Sequence, residues 1–171
     1  MDLLMISPNN LPNAANAIFE ESSFFKRFDA RLPSPADVRL QAARRKGSPR
    51  TPSSRPWPVQ YLYLNLLVKY GSEITIAEGQ CLWFLYHYLG RDVPVPELYG
   101  WRQDGGETFL FMELIHGDTL EQRWDSLTGN ERTSVCNQLR HMTASWRRLR
   151  QHSSPQFVGK HILPAFVLAG D

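Results

Sequence analysis

The chain has 171 residues, of which 42% are apolar and 21% are charged. This share of apolar residues is enough for a packed core, and it excludes a chain that is disordered throughout. Nineteen Lys and Arg residues against seventeen Asp and Glu residues give a net charge of +2, which does not demand a nucleic acid or an anionic membrane as partner.

Residues 1–57 are predicted to be largely disordered, because proline and arginine dominate their second half. Each proline fixes φ and removes a backbone donor, so neither a long helix nor a central strand is expected between residues 31 and 58. No acidic residue lies between Arg39 and Arg55. We interpret this basic stretch as a solvated linker, with nuclear targeting or anion binding as the alternative. Before it, residues 14–27 are compatible with a short helix.

The first strand is predicted over residues 60–70, which are rich in Tyr, Leu and Val and end before Gly71. A helix is expected to follow this strand. Thr75 and Glu78 fit the S/T-x-x-E capping box, and an apolar run continues from there to Leu89.

A hairpin is predicted after this helix. Residues 93–96 read Val-Pro-Val-Pro and are expected to be extended, because each proline disfavours the α region for the residue before it. Strand-like runs at residues 97–102 and 107–115 flank the sequence Gln-Asp-Gly-Gly at 103–106. Asp-Gly favours the positive φ values of a tight hairpin turn.

A long amphipathic helix is predicted last, beginning at a second capping box formed by Thr128 and Glu131. Apolar residues then recur every three or four positions, as on one face of a helix. They are Val135, Leu139, Met142, Trp146 and Leu149. The order of elements is α+β, with a helix inserted into an antiparallel sheet. It is typical of the small lobe of a kinase-like fold and permits other α+β domains.

Lys69 and Glu78 are the candidate pair for chemistry. A lysine at a strand end can hold the phosphates of a nucleotide if a carboxylate on the next helix positions its ammonium. The alternative is structural, since a lysine at this position is often simply solvated and Glu78 is already explained as the capping partner of Thr75.

Several separate blocks resemble the aminoglycoside phosphotransferase/choline kinase-like family, particularly its fungal branch. They lie between about Leu64 and Gly159 and are residues 66–71, 78–83, 93–101, 111–115, 117–127 and 138–140. The resemblance implies a protein-kinase-like fold. Residues 58–116 would form the small lobe with its hinge, and residues 117–159 the start of a helical large lobe. The implied activity is ATP-dependent phosphorylation of a small-molecule hydroxyl.

The same resemblance implies roles for five residues. Lys69 would bind the phosphates and Glu78 would be its partner on the helix. Glu113 and Ile115 would offer backbone groups to the adenine edge, and Met112 would line the back of that pocket. ATP and magnesium are the implied cofactors.

The catalytic loop of the family, His-Gly-Asp-x-x-x-x-Asn, has no convincing match. His116-Gly117-Asp118 is followed by Arg123 where the family has the magnesium-binding Asn, and it comes directly after the hinge. We therefore interpret Asp118 as a helix cap rather than a catalytic base, and no catalytic or metal-binding residue is assigned.

The resemblance ends at Gly159, and residues 160–171 are interpreted as a divergent tail. The large catalytic lobe is therefore expected to be absent, as in a truncated product that is inactive alone and binds nucleotide weakly or not at all. The alternative function is a non-catalytic module that binds a protein through an exposed face with Trp146, Leu149 and Phe157. Nucleic-acid binding is not expected, since the basic stretch lacks interleaved aromatic residues.

Cys81 and Cys136 have neither metal-ligand spacing nor the density of a disulfide scaffold. The first residues lack the pattern of a secretory signal, and no apolar run reaches the roughly 18 residues of a membrane helix. The sequence therefore favours a reduced, cytoplasmic protein without a membrane partner.

Overall fold

The computed structural model describes residues 4–27, 30–44 and 58–151, which form an α+β arrangement. The strands are β1 (Leu4–Ile6), β2 (Ala17–Ile18), β3 (Val59–Tyr61), β4 (Leu66–Gly71), β5 (Leu98–Asp104), β6 (Glu107–Glu113) and β7 (Leu149–Gln151). The helices are α1 (Pro35–Arg44), α2 (Ile76–Leu89), α3 (Leu120–Arg123) and α4 (Gly129–Trp146). None of the described helices is long and apolar enough to cross a membrane.

The main sheet is antiparallel and has the strand order β2-β5-β6-β4-β3. Helix α2 connects β4 to β5 along the chain and packs on β5 and β6. The prediction of a helix inserted into an antiparallel sheet is therefore confirmed. Outside this sheet, β1 and β7 pair in parallel.

The hairpin of β5 and β6 is also confirmed. Its turn residues are Gly105, with φ of 59°, and Gly106, with φ of 79°. Both values are positive, as the hairpin turns with matching twist require. The ends of the two strands differ from those of the predicted runs by at most two residues.

The two faces of the sheet bury different clusters, because successive strand residues point to opposite sides. On the face toward α2, Leu110 and Met112 of β6 lie with Trp101. On the other face, Phe109 and Phe111 are fully buried. Their cluster includes Val38 of α1, so the sheet lies between two helices.

Helix α2 approaches the sheet closely at Gly79. A Cβ atom built there would lie 3.0 Å from Cε3 of Trp101 and 3.1 Å from Cδ2 of Leu110, both tighter than ordinary contact. Glycine at this position therefore lets the first turn of α2 lie directly on the sheet, and Glu78 is the residue before it.

The single strand predicted over residues 60–70 is wrong, because the chain turns in its middle. Leu62–Leu64 form a short 3-10 helix, and Asn65 follows with φ of 49° and ψ of 42°. Asn tolerates this left-handed conformation better than most residues, since its short side chain can bond locally. The predicted strand is thus two antiparallel neighbours, β3 and β4.

The expectation that residues 1–57 are largely disordered differs from the structure over residues 4–27 and 30–44. Helix α1 begins at Pro35, and proline is favourable at the first helical position because its missing N–H needs no partner there. The amide of Ser34 donates to Asp37 Oδ2 at 3.0 Å, and the amide of Asp37 donates to Ser34 Oγ at 3.2 Å. The basic stretch after Arg44 lies outside the described residues.

The helix suggested for residues 14–27 is absent, and β2 occupies part of this segment. The indole Nε1 of Trp101 donates to the carbonyl of Ala14 at 2.9 Å, and the Gln80 amide donates to the carbonyl of Pro12 at 2.8 Å. Phe19 packs on Trp101 with its ring nearly perpendicular. These contacts attach the extended segment to α2 and β5. The tertiary contacts therefore outweigh the local preference of these residues for a helix.

Candidate functional site

Lys69 lies near the end of β4 on the face that carries α2. It pairs in register with Leu110, and Leu67, on the same face, pairs with Met112. Lys69 is followed by Tyr70 and by the strand end at Gly71. The ammonium group is thus carried by a strand that has hydrogen-bonded neighbours on both sides.

Glu78 forms an ion pair with Lys69 through Oε1 and Nζ. The side chain of Lys69 is 37% exposed and that of Glu78 is 31% exposed, so a ligand in solvent can reach both. The capping box predicted for Thr75 and Glu78 is wrong, because Thr75 precedes α2 without any side-chain cap hydrogen bond. The carboxylate is therefore available to the lysine.

The segment after β6 carries the other three predicted residues. Met112 is buried, with 6% of its surface exposed, in the cluster beneath α2. The amide of Glu113 donates to the carbonyl of Glu97 at 2.8 Å, so of its two backbone groups only the carbonyl remains for a ligand. Ile115 is 61% exposed, and its amide has no hydrogen-bond partner among the described residues.

The register fixes the spacing between these groups. Glu113 pairs with Leu66, three residues before Lys69 on β4. Three residues of extended strand span about 10 Å. The structure thus brings Lys69, Glu78 and Met112 to one face of the sheet, with Glu113 and Ile115 at the end of the adjacent strand.

The His116-Gly117-Asp118 sequence forms neither the predicted cap nor a buried site. Thr119 caps α3 in a capping box with Gln122, so the interpretation of Asp118 as the cap is wrong. Asp118 Oδ2 instead lies 3.9 Å from Nη1 of Arg123, with both side chains mostly exposed. A weak surface ion pair of this kind orders the chain little.

The apolar face expected on the last helix is present in part. Leu139 and Trp146 of α4 are 46% and 48% exposed. Leu149 instead packs beside Ile6 and Leu85. Phe157 lies outside the described residues.

A polar cluster that the sequence did not suggest joins α4 to the end of α2. Arg148 Nη2 donates to Asp92 Oδ2 at 2.6 Å, and the buried hydroxyl of Ser145 donates to the same oxygen at 3.2 Å. The Ser145 hydroxyl and the Arg148 guanidinium lower the pKa of Asp92 below its ordinary value. No spacing rule connects residues so far apart, so only the fold could reveal them.

The residues of this site fit ATP better than they fit magnesium. Lys69 can receive phosphate oxygens, whereas the described residues include no group of three His, Cys, Asp or Glu side chains that could hold a metal ion. One cavity lies between α2 and β7 and another lies beside α1, and neither is lined by Lys69 or Glu78. Comparison with protein-family models, with curated proteins and with solved structures finds no match to this chain.

Proposed function

We propose that the chain provides the ATP-binding small lobe of an aminoglycoside phosphotransferase/choline kinase-like protein. The observation that carries the proposal is the ion pair of Lys69 and Glu78. A lysine held by a carboxylate loses less side-chain entropy when it binds phosphate, because its stem is already ordered. The capping role that competed for Glu78 is removed by the absence of a side-chain cap at Thr75.

The topology supports the same proposal. A helix inserted between two strands of an antiparallel sheet, followed by a hairpin and an extended connector, is the order that the family resemblance implies. In this assignment β4 carries the phosphate-binding lysine, α2 carries its partner, and the connector begins at Glu113. Fold order alone is shared by many functions, so the site carries the argument.

The adenine would lie at the connector. The carbonyl of Glu113 and the amide of Ile115 would pair with its polar edge, and Met112 would close the back of its pocket. An amide without a protein partner favours such an acceptor, since an unsatisfied backbone donor gains a hydrogen bond from the ligand.

Phosphoryl transfer needs more than these groups. A carboxylate must orient the acceptor hydroxyl, and oxygen ligands must hold magnesium on the phosphates. The residues proposed here supply neither. The proposal for this chain therefore covers nucleotide binding, and transfer to a small-molecule hydroxyl is the activity of the family that it resembles.

Isothermal titration with Mg-ATP and with magnesium tripolyphosphate tests the proposal. Ile115→Pro removes the free amide, whereas Ile115→Val keeps it and serves as the matched control. We expect Ile115→Pro to weaken ATP binding several-fold and to leave tripolyphosphate binding unchanged. Equal affinities of all three chains for ATP, or no ATP binding by the natural chain, would refute the adenine assignment.

A second candidate is a non-catalytic module that binds another protein. The exposure of Leu139 and Trp146 on α4 favours it, because large apolar side chains that lie close together on a surface mark interaction sites. In this case the partner would present an apolar surface. Light scattering would then show that the natural chain associates with its protein partner and that Trp146→Lys does not. The natural chain would not bind Mg-ATP.

A further inference from the structure

A cavity of about 190 Å³ lies behind α2, on the side away from the main sheet and next to β7. It is neither sealed nor a shallow depression of the surface. Most of its wall is apolar and comes from α2, β7 and the N-terminal segment. These apolar residues are Ile6, Leu11, Phe84, Leu85 and Leu149.

The thiol of Cys81 completes this wall. Burial, with a smaller contribution from Glu78, raises the pKa of Cys81. The group is therefore a neutral thiol at pH 7, and a neutral thiol packs like a small apolar group. Gln80 adds a polar side chain, and its amide nitrogen is already bonded to the carbonyl of Pro12.

Arg150 supplies the one full charge among the residues that line the cavity. Its Nη1 donates to the carbonyls of Arg147 and Leu149 at 3.0 and 3.1 Å. No carboxylate of the described residues pairs with it. Arg150 is exposed, so its guanidinium keeps donors for a ligand, and the two carbonyls restrict where it can lie.

We propose that this cavity binds a small carboxylate with an apolar group of about eight carbons, such as a medium-chain or arylalkyl acid. A dry apolar cavity of about 150 Å³ is large enough for benzene, so this one admits a somewhat longer group. The hydrocarbon would lie against Phe84 and Leu11. The carboxylate would pair with Arg150, whose planar fork matches two carboxylate oxygens. This inference does not rest on nucleotide binding, because the cavity and the Lys69 site share no lining residue.

The two cysteines provide the test. Cys81 lines the cavity, and Cys136 is exposed on α4 and acts as an internal control. The rate of alkylation by N-ethylmaleimide is measured at each cysteine by peptide mass spectrometry, with octanoate or octanol present. We expect saturating octanoate to lower the alkylation rate of Cys81 at least about fivefold and to leave that of Cys136 unchanged. Octanol should protect Cys81 about tenfold less potently than octanoate.

Two variants test the contribution of the Arg150 charge to carboxylate binding. Arg150→Gln is expected to raise the half-protecting concentration of octanoate about tenfold without changing that of octanol, since one charge-assisted pair is lost. Arg147→Gln removes a nearby exposed arginine and should behave like the natural chain. Absence of protection at Cys81, equal slowing of both cysteines, or protection that is the same in Arg150→Gln would overturn the proposal.

Discussion

Glu78 pairs with Lys69 and not with the backbone at Thr75. The two residues are joined across the gap between β4 and α2, and this contact fixes the lysine on the face of the sheet that Met112 shares. The partner of the Glu78 carboxylate thus distinguishes a capped helix start from a candidate binding site.

Thr75→Ala tests this relationship through stability. Because the Thr75 side chain makes no cap hydrogen bond, its removal is expected to lower the free energy of unfolding by only a few tenths of a kcal/mol. Thr128→Ala is the matched control. Thr128 forms a complete capping box with Glu131, and its loss should cost about 1 kcal/mol. Urea denaturation measures both, and similar losses in the two variants would restore the capping role of Glu78.

Gly79→Val tests the close approach of α2 to the sheet. Trp101 is fully buried and its indole is bonded to the carbonyl of Ala14, so it cannot yield to a new side chain. We expect a loss of about 1–3 kcal/mol from overpacking. Gly129→Val, at a helical position with open space around its Cβ, should cost much less. Equal unfolding free energies for the two variants would show that α2 does not lie on the sheet as described.

Arg39→Ala tests the order of α1. The Arg39 guanidinium donates to Glu107 Oε2 at 2.8 Å and to Asp104 Oδ2 at 2.6 Å, and these two carboxylates raise the pKa of Arg39. Its loss is expected to release α1 from the hairpin. Hydrogen exchange of residues 35–44 should then speed up in Arg39→Ala and stay slow in Arg44→Ala. Fast exchange in the natural chain would favour the disorder expected from the prolines.

Asp92→Asn tests the attachment of α4 through its pH dependence. The hydrogen bond from Ser145, together with Arg148, lowers the pKa of Asp92 in the folded chain. A lowered folded pKa stabilises above the unfolded pKa of about 3.9, and this stabilisation is lost as the pH falls through the folded value. We therefore expect Asp92→Asn to lower Tm at pH 7 and the difference to shrink below about pH 4.

Asp125→Asn is the control for that series. Asp125 is exposed, and its side chain makes no described hydrogen bond or ion pair. Its Tm should follow that of the natural chain at every pH. A Tm difference for Asp92→Asn that is the same at pH 3 and pH 7 would mean that the ionised carboxylate does not hold α4.

The sequence predicted those elements whose signals are local. Asp104-Gly105 indicated a hairpin turn, which the structure places at Gly105 and Gly106, and Thr128 with Glu131 indicated the start of α4. Each signal is complete within four residues. Helix α1 had an equally local signal in Ser34 and Asp37. The prediction missed it because the many prolines of this segment argue against a long helix. A proline at the first helical position starts a helix rather than breaking it.

The rest could not be read from short windows. The pairing of β1 with β7 and the cluster of Asp92 with Ser145 join parts of the chain that are far apart in sequence. The turn at Asn65 depends on one residue that tolerates a positive φ. For the site, the spacing of Lys69 and Glu78 suggested a pair, and the competing capping role could be rejected only from the geometry.

The affinity of Lys69→Ala for Mg-ATP tests most directly whether Lys69 binds the phosphates. Lys26→Ala is its matched control, since Lys26 is exposed and both variants lose one positive charge. Removing a charged partner of phosphate is expected to weaken binding at least about tenfold in Lys69→Ala. Lys26→Ala should bind like the natural chain. Equal affinity of Lys69→Ala and Lys26→Ala for Mg-ATP would contradict the assignment of Lys69 to the phosphates.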